Sequence, residues 1–169
     1  MIKFAPDVYH RHSIRLKNFD YSQPGAYFVT IAAYQRVQLF GVIKENKMFF
    51  SSYGKIVQSC WEDIPNHYFN VSLDSFIVMP NHIHGIIIIT DHVGAAPTKK
   101  YPLSEIIRAF KTFSARRTNT IRETPGLPVW QRNYYEHIIR DEKELYSIRD
   151  YIENNFLEWN SDEENQEIL

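Results

Sequence analysis

The chain has 169 residues, of which 44% are hydrophobic and 23% charged, with a formal net charge of −1. A chain of this length can bury roughly two thirds of its surface on folding, so we expect one domain without structural metals or disulfides. The single cysteine, Cys60, excludes an intramolecular disulfide and a Cys-x-x-Cys zinc site. Because neither a long apolar stretch nor the apolar core of a signal peptide is present, we expect a cytoplasmic protein without membrane association.

The net charge hides an uneven distribution along the chain. Residues 141–169 carry two basic side chains against ten acidic ones, a net charge of −8, so residues 1–140 carry 17 against 10, a net charge of +7. A basic body favours a polyanion such as nucleic acid, although an excess of this size also occurs in proteins without such a partner.

The first half of the chain predicts strands and then a helix. Residues 25–34, GAYFVTIAAY, are rich in aromatic and β-branched residues and follow a Gln-Pro-Gly turn, which is typical of a strand. Residues 39–52 predict a hairpin with its turn at residues 45–47. In residues 52–68 apolar side chains recur at helical spacing, and we expect Pro65 to end this helix.

The second half predicts a hairpin and two helices. Residues 72–90 form two apolar runs separated by a Pro-Asn reversal, so the runs should pair as antiparallel strands. We expect Ser104 to cap a helix over residues 105–121. Asp141 should cap a last helix, with Glu144 at the capping-box position.

Antiparallel strands that alternate with helices predict an α+β fold, a ferredoxin-like two-layer sandwich. We expect helices on one face of the sheet and a C-terminal helix that carries Tyr151. We expect residues 1–159 to form the domain and residues 160–169, which are acidic and poor in large apolar groups, to form a disordered tail.

Two histidines stand at the head of the apolar run FIVMPNHIHGIIIIT, residues 76–90. Because successive strand residues point to opposite faces, His82 and His84 share a face and lie close enough to ligate one metal ion, although a site needs a third ligand. The alternative is a pair of half-exposed histidines at a strand end, hydrogen-bonded to water and backbone.

The last helix carries a tyrosine and an asparagine one turn apart. Tyr151 and Asn155, four positions apart, share one helix face. The alternative is that Tyr151 extends the apolar stripe of the helix and that Asn155 only ends it. If the face is directed at the histidine strand, a phenol and an amide oxygen meet two imidazoles, a set suited to phosphoryl transfer with one metal ion.

The segments MPNHIHGIIII and VWQRNYYEHIIRDEKELYSIRDYIENN, in this order, resemble the HUH single-tyrosine transposases, specifically the REP-associated tyrosine transposases and their insertion-sequence relatives. The resemblance extends from about residue 12 to Asn155. It implies a ferredoxin-like fold with the histidines on a central strand and the nucleophile, Tyr151, on a C-terminal helix. It also implies that His82, His84 and Asn155 bind Mg²⁺ or Mn²⁺.

The chemistry implied by the resemblance is cleavage and rejoining of single-stranded DNA beside hairpins, through a 5′-phosphotyrosine link. Relatives work as monomers or as homodimers that share active sites, and the sequence leaves both arrangements open. Phe156 stands where relatives often have proline, which could change the angle of Asn155. Glu153 and His137 are the alternative third ligands, although Glu153 faces elsewhere on the helix.

A single-stranded DNA site needs cations for phosphates and flat side chains for bases. The DNA-binding candidates lie in three segments, and for each the alternative is an ordinary solvated charge or a core aromatic. They are Arg11, Arg15 and Lys17 near the start, Arg108, Lys111, Arg116 and Arg117 on the second long helix, and Arg132, with Tyr134 and Tyr135, before the last helix.

The leading hypothesis is therefore a DNA strand transferase. The alternatives are a domesticated hairpin-binding protein with weak or no cleavage, and an unrelated metallohydrolase that acts on small phosphoesters.

Overall fold

The computed structural model describes residues 19–91, 100–157 and 159. The elements follow in the predicted order. They are strand β1 (Gly25–Ala32), a 3-10 turn (Tyr34–Arg36), strands β2 (Gly41–Lys44) and β3 (Lys47–Phe50), helices α1 (Ser52–Glu62) and α2 (Ile64–His67), strands β4 (Val71–Val78) and β5 (His82–Ile89), helix α3 (Leu103–Ile121), strand β6 (Tyr135–Ile139) and helix α4 (Glu142–Asn154).

Four strands form an antiparallel sheet in the order β4-β5-β1-β6, and β2 and β3 form a separate hairpin. The predicted α+β class is confirmed, and β5 is a central strand paired on both sides. The register places Thr30 of β1 opposite His84, and Ala32 opposite His82. The polar end of β5 therefore lies beside the end of β1.

Helices cover both faces of this sheet. Helices α1 and α3 pack on one face, where Trp61 lies over Gly85 so closely that a Cβ there would overlap the indole ring. Helix α4 lies across the other face, where Ile148 and Ile152 pack against Phe28 and Ile86. Since β5 alternates, Gly85 faces α1 while the residues on either side of it face α4.

Two predicted helix boundaries are wrong. Helix α1 ends at Glu62, and Pro65 stands in the first turn of α2, where the missing N–H of proline costs nothing. Helix α3 begins at Leu103 with Pro102 at its N-cap position, so Ser104 is inside the helix. In both cases a proline starts a helix.

The predicted start of α4 is confirmed. Asp141 is the N-cap, and its side chain accepts a hydrogen bond from the backbone N–H of Glu144 at 2.8 Å. The Glu144 carboxylate accepts from the N–H of Arg140, one residue before the position that a capping box uses. Among the described residues no helix has the length and apolar character needed to cross a membrane.

Candidate active site

The two histidines on β5 are buried and adjacent. His82 is 0% exposed and His84 is 1% exposed, so the expectation of a half-exposed pair is wrong. Their Nε2 atoms face each other at 2.9 Å. Alternation along the strand directs both rings to the sheet face under α4, where Tyr151 also lies.

The Nδ1 atom of each histidine contacts a polar side chain within hydrogen-bond distance. Asn81 Oδ1 lies 2.7 Å from Nδ1 of His82, and when this nitrogen donates to the amide oxygen, Nε2 of His82 has a free lone pair. Thr30 Oγ1 lies 2.8 Å from Nδ1 of His84. When Nδ1 of His84 donates to Thr30, both Nε2 atoms present lone pairs to the same point, as metal ligands do.

Burial keeps both imidazoles neutral. It lowers the pKa of His82 well below its usual value of 6.5, with smaller contributions from the neighbouring His84 and from the charge of Arg36. Burial and Arg36 lower the pKa of His84 to about 3. Both rings are therefore neutral at neutral pH, with one nitrogen of each ring able to ligate a metal or accept a proton.

Helix α4 brings its tyrosine to the histidine pair of the same chain. The Tyr151 hydroxyl lies 3.3 Å from Nε2 of His84, and the two rings meet edge to face at 5.2 Å. Phe28 packs against both rings, with centroids 5.6 Å from His84 and 6.1 Å from Tyr151. The phenol therefore reaches the imidazoles without a second chain.

Asn155 directly follows α4 and is 3% exposed. Its Oδ1 atom is buried and has no hydrogen-bond partner among the described residues. A buried amide oxygen without a donor is destabilising unless another group satisfies it. No cluster of three His, Cys, Asp or Glu side chains that could hold a metal occurs in the described part of the chain, so a third protein ligand beside the histidines would have to be of another type.

The alternative ligands lie in other environments. Glu153 is exposed on α4. His137, on β6, contacts the Glu144 carboxylate at 2.7 Å through Nε2 and so ties the first turn of α4 to the sheet. His137 thus has a contact that explains its presence without a metal.

The DNA-binding candidates do not converge on the histidine pair. Arg108, Arg116 and Arg117 are exposed on α3, which packs against the opposite face of the sheet. The Arg117 guanidinium lies 3.4 Å from the sulfur of Cys60. Lys111 donates to the backbone carbonyls of Gln131 and Arg132 at 2.6 and 2.9 Å.

The other candidates divide between the loop and the start of the chain. Arg132 is exposed. Tyr134 packs on the core beneath α3, and Tyr135 lies edge to face with Phe28, at 6.0 Å, on the histidine side. Arg11, Arg15 and Lys17 fall outside the described residues, as does the predicted tail, residues 160–169.

Sequence reasoning missed several residues of this site. Thr30 and Asn81 orient the imidazoles, and Trp159 stacks on His82 with the ring centroids 6.1 Å apart. Arg36 follows β1 in a turn where both Gln35 and Arg36 have positive φ, 54° and 53°. Only the Pro-Asn-His order gave a local signal, since Asn81 directly precedes the first histidine.

A four-stranded antiparallel sheet with paired histidines on a central strand and a tyrosine on a C-terminal helix is the architecture of the HUH single-tyrosine transposases. The sequence of residues 30–155 matches the family described as IS200-like transposases. The chain belongs to this family, and its function is transposase-like.

Two bacterial proteins are similar to this chain over most of its length, and the name of the second agrees with this assignment. An uncharacterized protein of Haemophilus influenzae is 40% identical over 178 residues, which cover 95% of this chain and 96% of the relative. A second protein of Haemophilus influenzae, assigned as a REP-associated tyrosine transposase, is 26% identical over 79% of this chain and 70% of its own length.

The fold also has a solved counterpart. The structure of a REP-associated tyrosine transposase bound to a REP hairpin superposes with a TM-score of 0.61 at 18% identity. The match covers 85% of this chain and 73% of the other. At this identity the likeness establishes the fold.

Proposed function

We propose that this protein cleaves and rejoins single-stranded DNA through a covalent bond to Tyr151. The observation that carries the proposal is the position of the Tyr151 hydroxyl, 3.3 Å from Nε2 of His84 at a buried histidine pair. Membership in a transposase family supplies the substrate class. A phenol held at paired imidazoles is suited to nucleophilic attack on phosphorus.

The proposed step is a transesterification. The Tyr151 oxygen attacks a backbone phosphorus, the new tyrosine O–P bond forms, and the bond from phosphorus to the 3′ oxygen breaks. The phenol proton is lost and the leaving oxygen gains one, so the products are a 5′-phosphotyrosine and a free 3′-hydroxyl. Attack by another 3′-hydroxyl reverses the step and joins strands without a nucleotide cofactor, because the link keeps the phosphodiester energy.

The residues present fit a divalent metal, Mg²⁺ or Mn²⁺. The Nε2 atoms of His82 and His84, 2.9 Å apart, would be close enough to hold one such ion together. The buried, unpartnered Oδ1 of Asn155 is the proposed third ligand. When bound, the ion supplies positive charge for the phosphate oxygens and the phenolate.

The proposed substrate is single-stranded DNA that carries a hairpin. Two features support it: the net charge of +7 over residues 1–140, and the fold shared with a transposase that was solved bound to a REP hairpin. Because the exposed arginines of α3 lie on the face opposite Tyr151, a hairpin that contacts both would have to reach around the sheet.

The test is adduct formation. The protein is mixed with labelled single-stranded DNA from the flanks of its own gene and Mn²⁺, then denatured and separated by electrophoresis. We expect a protein–DNA adduct that disappears in EDTA and in Tyr151→Phe, whose DNA affinity stays near that of the wild type. Tyr146→Phe is the matched control, because Tyr146 is on the same helix and 64% exposed.

The other outcomes point to the alternative functions. An adduct that persists in Tyr151→Phe contradicts the assignment of the nucleophile. Tight hairpin binding that is unaffected by EDTA and by His82→Ala, with no adduct, would instead support a domesticated hairpin-binding protein. Turnover of a chromogenic phosphodiester without any adduct would support a small-molecule phosphodiesterase.

A further inference from the structure

Helix α4 is tied to both edges of the sheet. Near its start, Glu144 contacts His137 of edge strand β6. Further along, Arg149 donates two hydrogen bonds to Asp74 of the opposite edge strand, β4. Its Nε reaches Oδ1 at 2.7 Å and its Nη2 reaches Oδ2 at 2.6 Å. This two-pronged pairing fixes direction as well as distance.

An irregularity in β4 places Asp74 there. Leu73 pairs with Ile87 and Phe76 with Gly85, so the two intervening residues of β4 face the single residue between their partners. This extra residue is a β-bulge, which re-aims side chains and often lies beside active sites. The Asp74 carboxylate also accepts from the N–H of Ser75 at 2.7 Å, which fixes its rotamer.

The pair and the tyrosine lie on opposite flanks of α4. At 100° per residue, Arg149 and Tyr151 are separated by about 200° around the helix axis. Between these flanks the apolar stripe of Ile148 and Ile152 rests on the sheet. A narrow stripe allows the helix to roll about its axis, and any roll that moves Arg149 away from β4 also moves the tyrosine relative to the histidines.

We propose that Asp74 and Arg149 are positioning residues that set the roll of α4 and thereby hold the Tyr151 hydroxyl at the histidine pair. The inference rests on the proposed function of Tyr151 as nucleophile. Neither side chain is proposed to contact DNA or metal. Their side chains are 15% and 33% exposed. Because water still reaches the pair and weakens its electrostatic attraction, the pair acts mainly through its geometry.

The test compares Asp74→Asn and Arg149→Lys with the wild type. Lysine keeps the charge but lacks the planar fork of arginine. We expect both variants to form the covalent adduct roughly ten- to a hundredfold more slowly under single-turnover conditions, since misplacement by about 1 Å costs this much. The dissociation constant for DNA should stay within about twofold, and added Mn²⁺ should not restore the rate. Asp63→Asn is the control, because Asp63 also accepts side-chain hydrogen bonds but follows α1 on the opposite face.

Hydrogen exchange supplies a readout that does not depend on cleavage. We expect the amides of α4 to exchange faster in Asp74→Asn and Arg149→Lys, while those of β5 keep their wild-type rates. Wild-type adduct rates in both variants, measured well below their unfolding temperatures, would overturn the positioning role whatever their stability. If the wild type forms no adduct, the proposed function fails, and unchanged exchange in α4 would then overturn the bracing of the helix as well.

Discussion

The two faces of the sheet bury apolar clusters of different size. Under α1 and α3 the described residues form one large apolar cluster, which includes Trp61, Ile83, Ile87 and Phe110. Under α4 the fully buried apolar cluster is small, and its Phe28 ring stacks on the buried His84. His84 in turn contacts the buried polar side chains of Thr30 and His82.

Because of this difference, we expect one face of the sheet mainly to stabilise the fold and the other to hold the candidate site. Burial of apolar surface is the main favourable contribution to folding, whereas a buried polar group is costly unless it is paired. The α1 and α3 face should therefore supply most of the stability, and the α4 face can hold a site whose groups await a ligand. Neighbouring residues of one strand make this comparison testable.

Ile86 and Ile87 are adjacent on β5, each 0% exposed, and face α4 and α1 respectively. We expect Ile87→Ala to lower the free energy of unfolding by about 4 kcal/mol, and Ile86→Ala by about 2 kcal/mol, within the range for such cavities. The smaller cost follows because α4 can settle into the space. Urea denaturation measures both values.

The rate of adduct formation by the folded protein should also differ between the two variants. Ile86→Ala should slow it, since the collapse shifts Tyr151, whereas Ile87→Ala should leave it unchanged. Equal losses of stability, together with equal rates, would show that the two faces are not divided in this way.

Thr30 contacts the Nδ1 atom of His84 and so orients this imidazole. Thr30→Val removes the contact between Oγ1 and Nδ1 of His84 but keeps the side-chain shape. Loss of a partner behind a metal ligand typically costs 10- to 100-fold, so we expect a drop of about this size in Mn²⁺ affinity and in adduct rate. Calorimetric titration with Mn²⁺ measures the first quantity.

Thr118 provides the matched control on the other face. It is 0% exposed on α3, and its Oγ1 has no hydrogen-bond partner among the described residues. Thr118→Val should therefore be neutral or stabilising, with metal affinity unchanged. A similar loss of Mn²⁺ affinity in both variants would count against a specific role for Thr30.

Lys111 can be tested for a structural role as opposed to a role in DNA binding. Lys111 was a DNA-binding candidate, but its ammonium donates to two carbonyls of the segment before β6, and burial lowers its pKa. We expect Lys111→Met to lower the free energy of unfolding by about 1.5 kcal/mol. Exposed Arg108, on the same helix, is the comparison, and Arg108→Met should change stability little. A loss of DNA affinity in Lys111→Met without a loss of stability would restore the original interpretation.

Local pattern was enough for much of the fold and for the contact between the two histidines. Strand alternation predicts that His82 and His84 share a face, which the 2.9 Å between their Nε2 atoms confirms, and helical spacing predicts the same of Tyr151 and Asn155. The cap at Asp141 followed from a residue type and a position. These features depend on residues within one or two turns of each other.

The remaining features depend on register between distant segments. Thr30 meets a histidine 54 positions away, and Arg149 meets an aspartate 75 positions away through a bulge that no local signal marks. Likewise, Lys111 on a basic helix looks like a solvated charge until the carbonyls that it binds are located. Pairing across the sheet decides these contacts, and a single sequence leaves that pairing open.

The smallest expected effect concerns the pair that joins α4 to β4. The hydrogen bonds from Arg149 lower the pKa of the Asp74 carboxyl below its usual value of 3.8. The pair therefore stabilises the folded state at every pH above that value, and the contribution disappears as the pH falls through the folded pKa and the carboxyl is protonated. The unfolding temperatures of the wild type and of Asp74→Asn should differ at pH 6, and the difference should shrink as the pH falls below 3.8. Arg149→Gln should behave in the same way, because either change breaks the same contact.

A difference between wild type and Asp74→Asn that stays constant with pH would mean that the asparagine acts through packing. The link between α4 and the edge of the sheet would then not be electrostatic.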